Sequence, residues 1–465
     1  YSRGWQRTDN TNNFLSFFAT FAYSFKNRYV VNANVRNDAS NVFGQDINHR
    51  IDPTYSFGLS WRASEEAFFQ KHLKWITTLN FRGTFGIQGN ALTRESPELI
   101  LSQQGVQPGY NRYFSTIGQI PNPYLSWERT RNWNFGVDLE LFRMFYMNLE
   151  YYTRRSNAVI TVDLPFEYGI DDMKRNGGII YNRGIEYTLS FTPIQKRDFS
   201  LNINLNASKN WNKGGETKID RNTAMYLRGG STQILKEGYP LSAFWSYSFA
   251  GLDGSNGKPM FNYVEVPDEE KSKSIDPTTY LVYSGETEPY FTGGLGFSFR
   301  YKSLSLNTSF SLLLGSKKRL PSPYSDFQGS GSMMPDPTKN VNRDLLNRWQ
   351  KPGDEVYTNI PGLPTWPIEI GWTLPNTDSA ESAIEMWEKS DAMVVSGSFL
   401  RCRNIGLSWQ MKKEWCDKIH AKNLAINFNM DNIFVIASKR FNGFDPELEN
   451  SIMPRSFSLG LNIGF

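Results

Sequence analysis

The side chains that carry most acid–base and metal chemistry are scarce in this chain of 465 residues, which has three histidines and two cysteines. Imidazole and thiolate groups are the usual zinc ligands and partners in nucleophilic catalysis, so a His-based metal or catalytic site has little material. Cys402 and Cys416 fit neither a disulfide framework nor a zinc-ligand spacing. A strand between them, rising about 3.3 Å per residue, puts them near opposite rims, and two free thiols are expected. Carboxylates pair at Glu65-Glu66 and at Glu447 with Glu449, both at solvated rims, and no motif brings a serine, a histidine and an acid together. Asp253-Gly254-Ser255-Asn256-Gly257 resembles part of a calcium loop but lacks the acidic spacing and terminal glutamate of an EF-hand, and reads as a plain turn. These residues argue against an enzyme and imply no metal and no cofactor.

The elements that must position any binding chemistry are strands. In Pro454-Arg455-Ser456-Phe457-Ser458-Leu459-Gly460-Leu461-Asn462-Ile463-Gly464-Phe465, apolar residues alternate with Ser458, Gly460, Asn462 and Gly464. A period of two marks a strand with one apolar face. A second sheet covers that face in a soluble sandwich; in a transmembrane barrel lipid covers it, and the polar positions face a wet lumen. Composition leans toward lipid, because the chain is only 39% apolar yet 15% aromatic, a surplus that suits interfacial aromatic girdles. No run approaches the roughly 18 apolar residues of a membrane helix. A mean hydropathy of −0.50 is no obstacle, since half the residues of a barrel strand are polar. The formal charge of +4 comes from nearly balanced basic and acidic residues, which leaves no basic footprint for nucleic acid.

The alternation recurs along the chain. Leu15 to Phe25 and Tyr29 to Val35 read as a hairpin about Lys26-Asn27. Tyr55 to Trp61, Trp75 to Ile87, Trp127 to Leu141, Phe145 to Tyr151, Ile185 to Phe191 and Phe199 to Leu205 follow, with a short amphipathic turn over Glu65 to Lys74 and a long loop up to about Tyr124. The middle reads as strands near Thr232 to Lys236 and Ser242 to Gly251, around a turn at Glu237-Gly238-Tyr239-Pro240. Leu295 to Tyr301 and Leu304 to Leu312 form another hairpin. An irregular region from Gly315 to Gly397 carries short helices around Val341 to Gln350 and Ser379 to Lys389, and Ser398 to Met411, Leu424 to Asn432 and the terminal strand complete a set of about fifteen.

Short connections near 26, 64–74, 143, 195, 239, 302 and 412–422 alternate with mostly long ones. That asymmetry is typical of outer-membrane barrels, with short periplasmic turns and long extracellular loops. If Phe465 ends on the periplasmic side, counting back places residues 1–12 outside the cell, and an odd strand number points to a missing N-terminal portion. Tyr1 to Arg7 has neither the charged start nor the apolar core of a signal peptide, so a leader has been cleaved or the chain is part of a longer protein.

Several segments resemble one family. Asn122-Pro123-Tyr124-Leu125-Ser126-Trp127-Glu128, running into Asn134-Phe135-Gly136-Val137-Asp138, is similar to a segment of SusC/RagA-type TonB-dependent transporters. In the same order come Gly86-Ile87-Gln88-Gly89-Asn90, Asn182-Arg183-Gly184-Ile185-Glu186, Glu237-Gly238-Tyr239-Pro240-Leu241, Pro289-Tyr290-Phe291-Thr292-Gly293-Gly294 and Asn347-Arg348-Trp349-Gln350-Lys351-Pro352-Gly353-Asp354. Ser398-Phe399-Leu400-Arg401, Asp431-Asn432-Ile433-Phe434, Gly443-Phe444-Asp445-Pro446-Glu447 and Pro454-Arg455-Ser456-Phe457 end the series.

The resemblance implies an all-β transmembrane antiparallel β-barrel. Residues 1–465 would supply the C-terminal part, about 15 strands of 22, without the plug domain and first strands. It further implies an outer-membrane importer of oligosaccharides or peptides, working with a SusD-like lipoprotein lid and with the TonB complex through a plug absent here. Its other partners would be the remaining N-terminal barrel portion, lipid and lipopolysaccharide, and pairing of two transporter–lipoprotein units stays open. The loop aromatics Tyr110, Tyr113, Tyr324, Trp366 and Trp372 are candidates for stacking on substrate or contacting the lid. Asn202, Asn204, Asn206 and Asn307 would wet the lumen. By resemblance to outer-membrane barrels, Phe457, Leu459, Leu461, Ile463 and Phe465 would be read by the assembly machinery. A passive porin or structural barrel without TonB coupling is the alternative, and an outer-membrane hydrolase a distant third.

Overall fold

The computed structural model describes residues 13–40, 51–90, 99–107, 109–122, 124–164, 166–170, 172–217, 224–229, 235–262, 277–324, 338, 340–363, 370–372, 381–448 and 451–465. Among them the long strands are β1 (Phe14–Phe25), β2 (Tyr29–Ser40), β3 (Ile51–Arg62), β4 (Ile76–Asn90), β5 (Glu128–Leu141), β6 (Phe145–Asp163), β7 (Asp172–Gln195), β8 (Phe199–Gly214), β9 (Phe291–Tyr301), β10 (Leu304–Leu314), β11 (Phe399–Gln410), β12 (Asn423–Ile436) and β13 (Ser456–Gly464). The chain divides into two compact units, one built from residues 1–193, 208–221 and 235–239 and the other from 194–207, 222–234 and 240–465.

In the first unit β1 through β7 follow one another as antiparallel neighbours. Register keeps the apolar phase on one face: Tyr29 opposes Trp61, and Trp61 opposes Phe81. Trp61 stacks on Phe81 with centroids 5.6 Å apart, and Phe85 meets Trp133 at 4.4 Å. Phe17, Phe57, Leu59 and Phe135 on this face are each roughly half exposed or more. Such a contiguous apolar patch exceeds what a soluble surface carries and matches the outward band of a membrane barrel. In β7, 24 residues run without interruption. At about 3.3 Å each they span far more than an apolar band about 25 Å tall.

In the second unit β9 through β13 form a second antiparallel run. Its long connections carry their own structure. Ala243–Tyr247 pairs with Leu281–Glu286, Phe249–Leu252 with Pro259–Phe261, and Lys317–Arg319 with Val394–Ser396. The helix Ala383–Glu388 starts at a capping box between Ser382 and Glu385, which satisfies end N–H groups reciprocally. It brings Ile384 and Trp387 into a dry cluster with Tyr324, Leu345 and Met393.

The thirteen long strands match the expected ones, and the difference lies in the middle of the chain. Residues 230–234 are outside the described set, and Leu235-Lys236 is not strand. Ser242 to Gly251 splits into two short strands that pair locally within a long connection. The turn at Gly238 therefore does not join wall strands. With it removed, connections 26–28, 63–75, 142–144, 196–198, 302–303 and 411–422 form one alternate set, of 2 to 13 residues, while the intervening 41–50, 91–127, 164–171, 215–290, 315–398 and 437–455 range from 8 to 84. The loop leading to Tyr124 also holds an unexpected hairpin, Ile100–Gln107 with Arg112–Gln119. No described helix is long and apolar enough to cross a membrane.

Candidate functional site

On the polar face of the first unit, neighbouring strands bond through their side chains. Arg82 on β4 reaches Glu150 on β6 at 2.8 Å and Asp138 on β5 at 3.4 Å. Asn134 donates to Glu150 and Asn148 to Asp138, so both carboxylates have charged and neutral donors. Gly136 makes room for the guanidinium, because a Cβ there would lie 2.9 Å from Arg82 Nη2. Toward the end of β2 away from its short turn, Arg36 holds Asp38 at 2.7 Å, and Ser16 donates to the same carboxylate. Asn34 donates to Ser56. Ser16, Asn34, Arg36, Asp38 and Ser56 line an open concavity of about 770 Å³ together with Gln88, Trp127 and Asn132, whereas the Arg82 cluster lies outside it. Its lining offers hydrogen-bond donors and acceptors of both charges, which suits contact with a polar solute. No cluster of three His, Cys, Asp or Glu that could hold a metal occurs among the described residues.

The motif residues sit where loops rejoin strands. Asn122 donates to the Lys174 carbonyl, Asn176 exchanges hydrogen bonds with the main chain of Ser126, and Glu128 accepts from Val159 N–H and from Asn90. Leu125 and Trp127 are buried beneath this clasp. Gly184 lies opposite Tyr152, where a Cβ would come within 2.5 Å of the phenol oxygen; the glycine lets the ring lie across the strand and its hydroxyl reach Asn210. Asp354 accepts from the N–H groups of Gln350 and Lys351, and Glu355 from Trp349 Nε1. Arg401, almost wholly buried, grips both Asp445 oxygens at 2.7 and 2.8 Å and Glu447 at 2.8 Å. Burial opposes ionisation of Asp445, but the Arg401 hydrogen bonds and charge outweigh it and hold the carboxyl below its usual range.

Tyr110 and Tyr113, 74% and 72% exposed, project from the hairpin within 99–119, where Leu101 and Ile117 are exposed too. Tyr324 is a correction. It is 1% exposed, with its hydroxyl donating to the Pro361 carbonyl and its ring against Trp387, and burial raises its phenol pKa. Packing has claimed the ring that was expected to meet a ligand. Trp366 lies outside the described residues, and Trp372 ends a three-residue strand opposite Glu381. On β13 the side chains of Phe457, Leu459 and Leu461 are well exposed, beside β12. Cys402 and Cys416 are free and buried. The Arg36 and Arg82 groups were missed in the sequence; the readable signal was charge at the polar phase of adjacent strands.

The model of the TonB dependent receptor-like β-barrel family matches residues 1–310, more than half of the chain. The chain belongs to this family. It is an outer-membrane β-barrel protein, and the exposed apolar faces are lipid faces. TonB-dependent receptor P3 of Formosa agariphila is 23% identical over 98% of this chain and 46% of its own length. TonB-dependent receptor SusC of Bacteroides thetaiotaomicron is 25% identical over 98% of this chain and 44% of its own. Among solved structures, the RagAB peptide transporter shares the fold, with a TM-score of 0.74 and 22% identity over 98% of this chain and 48% of that one. The chain thus spans about half the length of these relatives. Their family is one of receptors and transporters, not of enzymes.

Proposed function

We propose that this chain forms most of the wall and outer loops of a TonB-dependent importer that takes up oligosaccharides or oligopeptides. Membership in the TonB-dependent receptor barrel family, joined to a polar, concave inner face of the first unit, is the observation that supports this reading. β1 and β13 each have one edge without a described partner strand. Open edges in lipid leave N–H and C=O groups unpaired, so a remaining barrel portion of the same receptor would pair with them. A plug within that portion would couple the path to the TonB complex. A SusD-like lipoprotein would act as the lid, meeting the exposed hairpin that carries Tyr110 and Tyr113, with Trp366 and Trp372 as further candidate contacts. Phe457, Leu459, Leu461, Ile463 and Phe465 would present the lipid-facing strand that assembly machinery reads. No catalytic step is assigned.

The test is uptake of fluorescently labelled oligosaccharide and oligopeptide pools by cells with and without this protein, repeated in a strain lacking TonB. Uptake that requires both supports active import. Uptake that survives loss of TonB would assign the barrel to passive permeation instead. Affinity isolation from native outer membranes is expected to bring down a surface lipoprotein with the barrel.

A further inference from the structure

The short connections of the first unit differ in charge from its long ones. Lys26, Arg28, Lys71, Lys74 and Arg143 lie in 26–28, 63–75 and 142–144 against only Glu65 and Glu66, whereas 41–50, 91–127 and 164–171 together carry Arg50, Arg94 and Arg112 against Asp46, Glu95, Glu98, Glu167 and Asp171. Hydrogen bonds join these three connections into one rim: the Arg28 guanidinium donates to Glu66, and Phe142 N–H to the Trp75 carbonyl. The acids are already engaged. Glu66 accepts from Tyr29 Oη at 2.6 Å, from Trp61 Nε1 and from Arg28, and Glu65 from Gln70. The Tyr29 hydrogen bond, with those of Trp61 and Arg28, holds Glu66 below the usual carboxyl range, so it stays ionised and neutralises Arg28. Lys71, Lys74 and Arg143 are exposed.

Aromatic rings mark the depth of this rim. Trp75 stacks on Phe142 at 5.7 Å, Phe68 meets Phe69 at 5.0 Å, and Lys26 Nζ sits 5.2 Å over the Phe25 ring. Phe25, Tyr29, Trp61, Phe68, Trp75 and Phe142 are all exposed. Such rings settle at the level of the headgroups in a barrel, and long basic side chains on the same connections can deliver their charges to that level. Phosphate is the anion found there.

We infer that this rim, through Lys71, Lys74 and Arg143, binds the headgroups of anionic phospholipid in the leaflet at the short-turn end of the barrel. The fit is one of charge complementarity: cations with no partner among the described residues stand beside an aromatic band that fixes them at phosphate depth. Hydrogen bonding to phosphate oxygens adds to attraction by the surface potential.

The experiment is native mass spectrometry of the detergent-extracted protein titrated with phosphatidylglycerol and, separately, with phosphatidylethanolamine. The unaltered protein is expected to retain phosphatidylglycerol preferentially. The Lys71→Gln/Lys74→Gln/Arg143→Gln variant should bind it on the order of a hundredfold more weakly, with phosphatidylethanolamine binding unchanged. An Arg94→Gln/Arg112→Gln control, altered in a long connection, should bind as the unaltered protein does. Equal phosphatidylglycerol binding by the triple variant, equal retention of both lipids by the unaltered protein, or a matching loss in the control would overturn the assignment. A heat-modifiable band verifies folding; if the triple variant lacks it, Lys71→Gln and Lys74→Gln singly, each expected to weaken binding about fivefold, decide in the same way. The outcome is independent of whether the barrel imports anything.

Discussion

The wall of the first unit and the loop core of the second are both built from aromatic side chains, and they use them in opposite senses. In the wall, Phe57, Trp61 and Phe135 are exposed, and Trp61 stacks on Phe81 and Phe135 on Trp133 along the sheet surface. In the core, Tyr324 and Trp387 meet edge-on with centroids 6.1 Å apart and are almost completely enclosed. Lipid replaces protein as the packing partner in the first case, so a ring removed there is replaced by an acyl chain. In the second case nothing moves in, and a cavity remains.

The sharpest way to break this contrast is Trp387→Ala. It should cost the loop core about 4 kcal/mol, seen as rapid limited proteolysis within 315–398 while the heat-modifiable barrel band persists. Simultaneous loss of that band would mean that the core and the wall stand or fall together. Next is Asp445→Asn, which leaves Arg401 partly uncompensated in a buried site and should loosen 437–455 by about 3 kcal/mol. Because the Asp445 carboxyl is held below its usual range, its contribution is complete above the ordinary carboxylate pKa of about 3.9 and fades as pH falls through its lowered value. Protease protection of 437–455 should therefore hold at pH 5 and fail only in stronger acid. On the lipid face, Phe57→Arg should lower the midpoint for heat modification by about 2 to 3 kcal/mol equivalent, whereas Phe57→Ala should cost under about 1 kcal/mol because lipid fills the space. Deleting Phe465 should have a smaller effect on stability but reduce the folded amount in the outer membrane.

The wall was legible because its register is written in the alternation: once Tyr29, Trp61 and Phe81 share a phase, their pairing across three strands follows. The exposed hairpin at 100–119 was not, since its Gln- and Gly-rich strands have apolar residues on both faces and no single phase. Ser242 to Gly251 misled for a related reason. Its residues have strand character, but a short strand buried on both faces can pair anywhere, and only tertiary packing places it against 281–286. For the candidate site, the polar phase was visible as a set, but which partners bond was not. Arg82 reaches across β5 to Glu150, a contact that depends on the missing side chain at Gly136. Tyr324 shows the converse limit, because nothing in a loop's composition says that a helix capped by Ser382 will close over it.

The Arg401 clasp also fixes a sequence of events. Arg401 is on β11, and its acids arrive only with the connection that follows β12. From that same connection Arg440 donates to the carbonyls of Ala392 and Val394, at the edge of the aromatic core. The clasp on Arg401 therefore closes only once the segment after β12 is in place, so the long connections it ties together stay unlocked until that late part of the chain has been made.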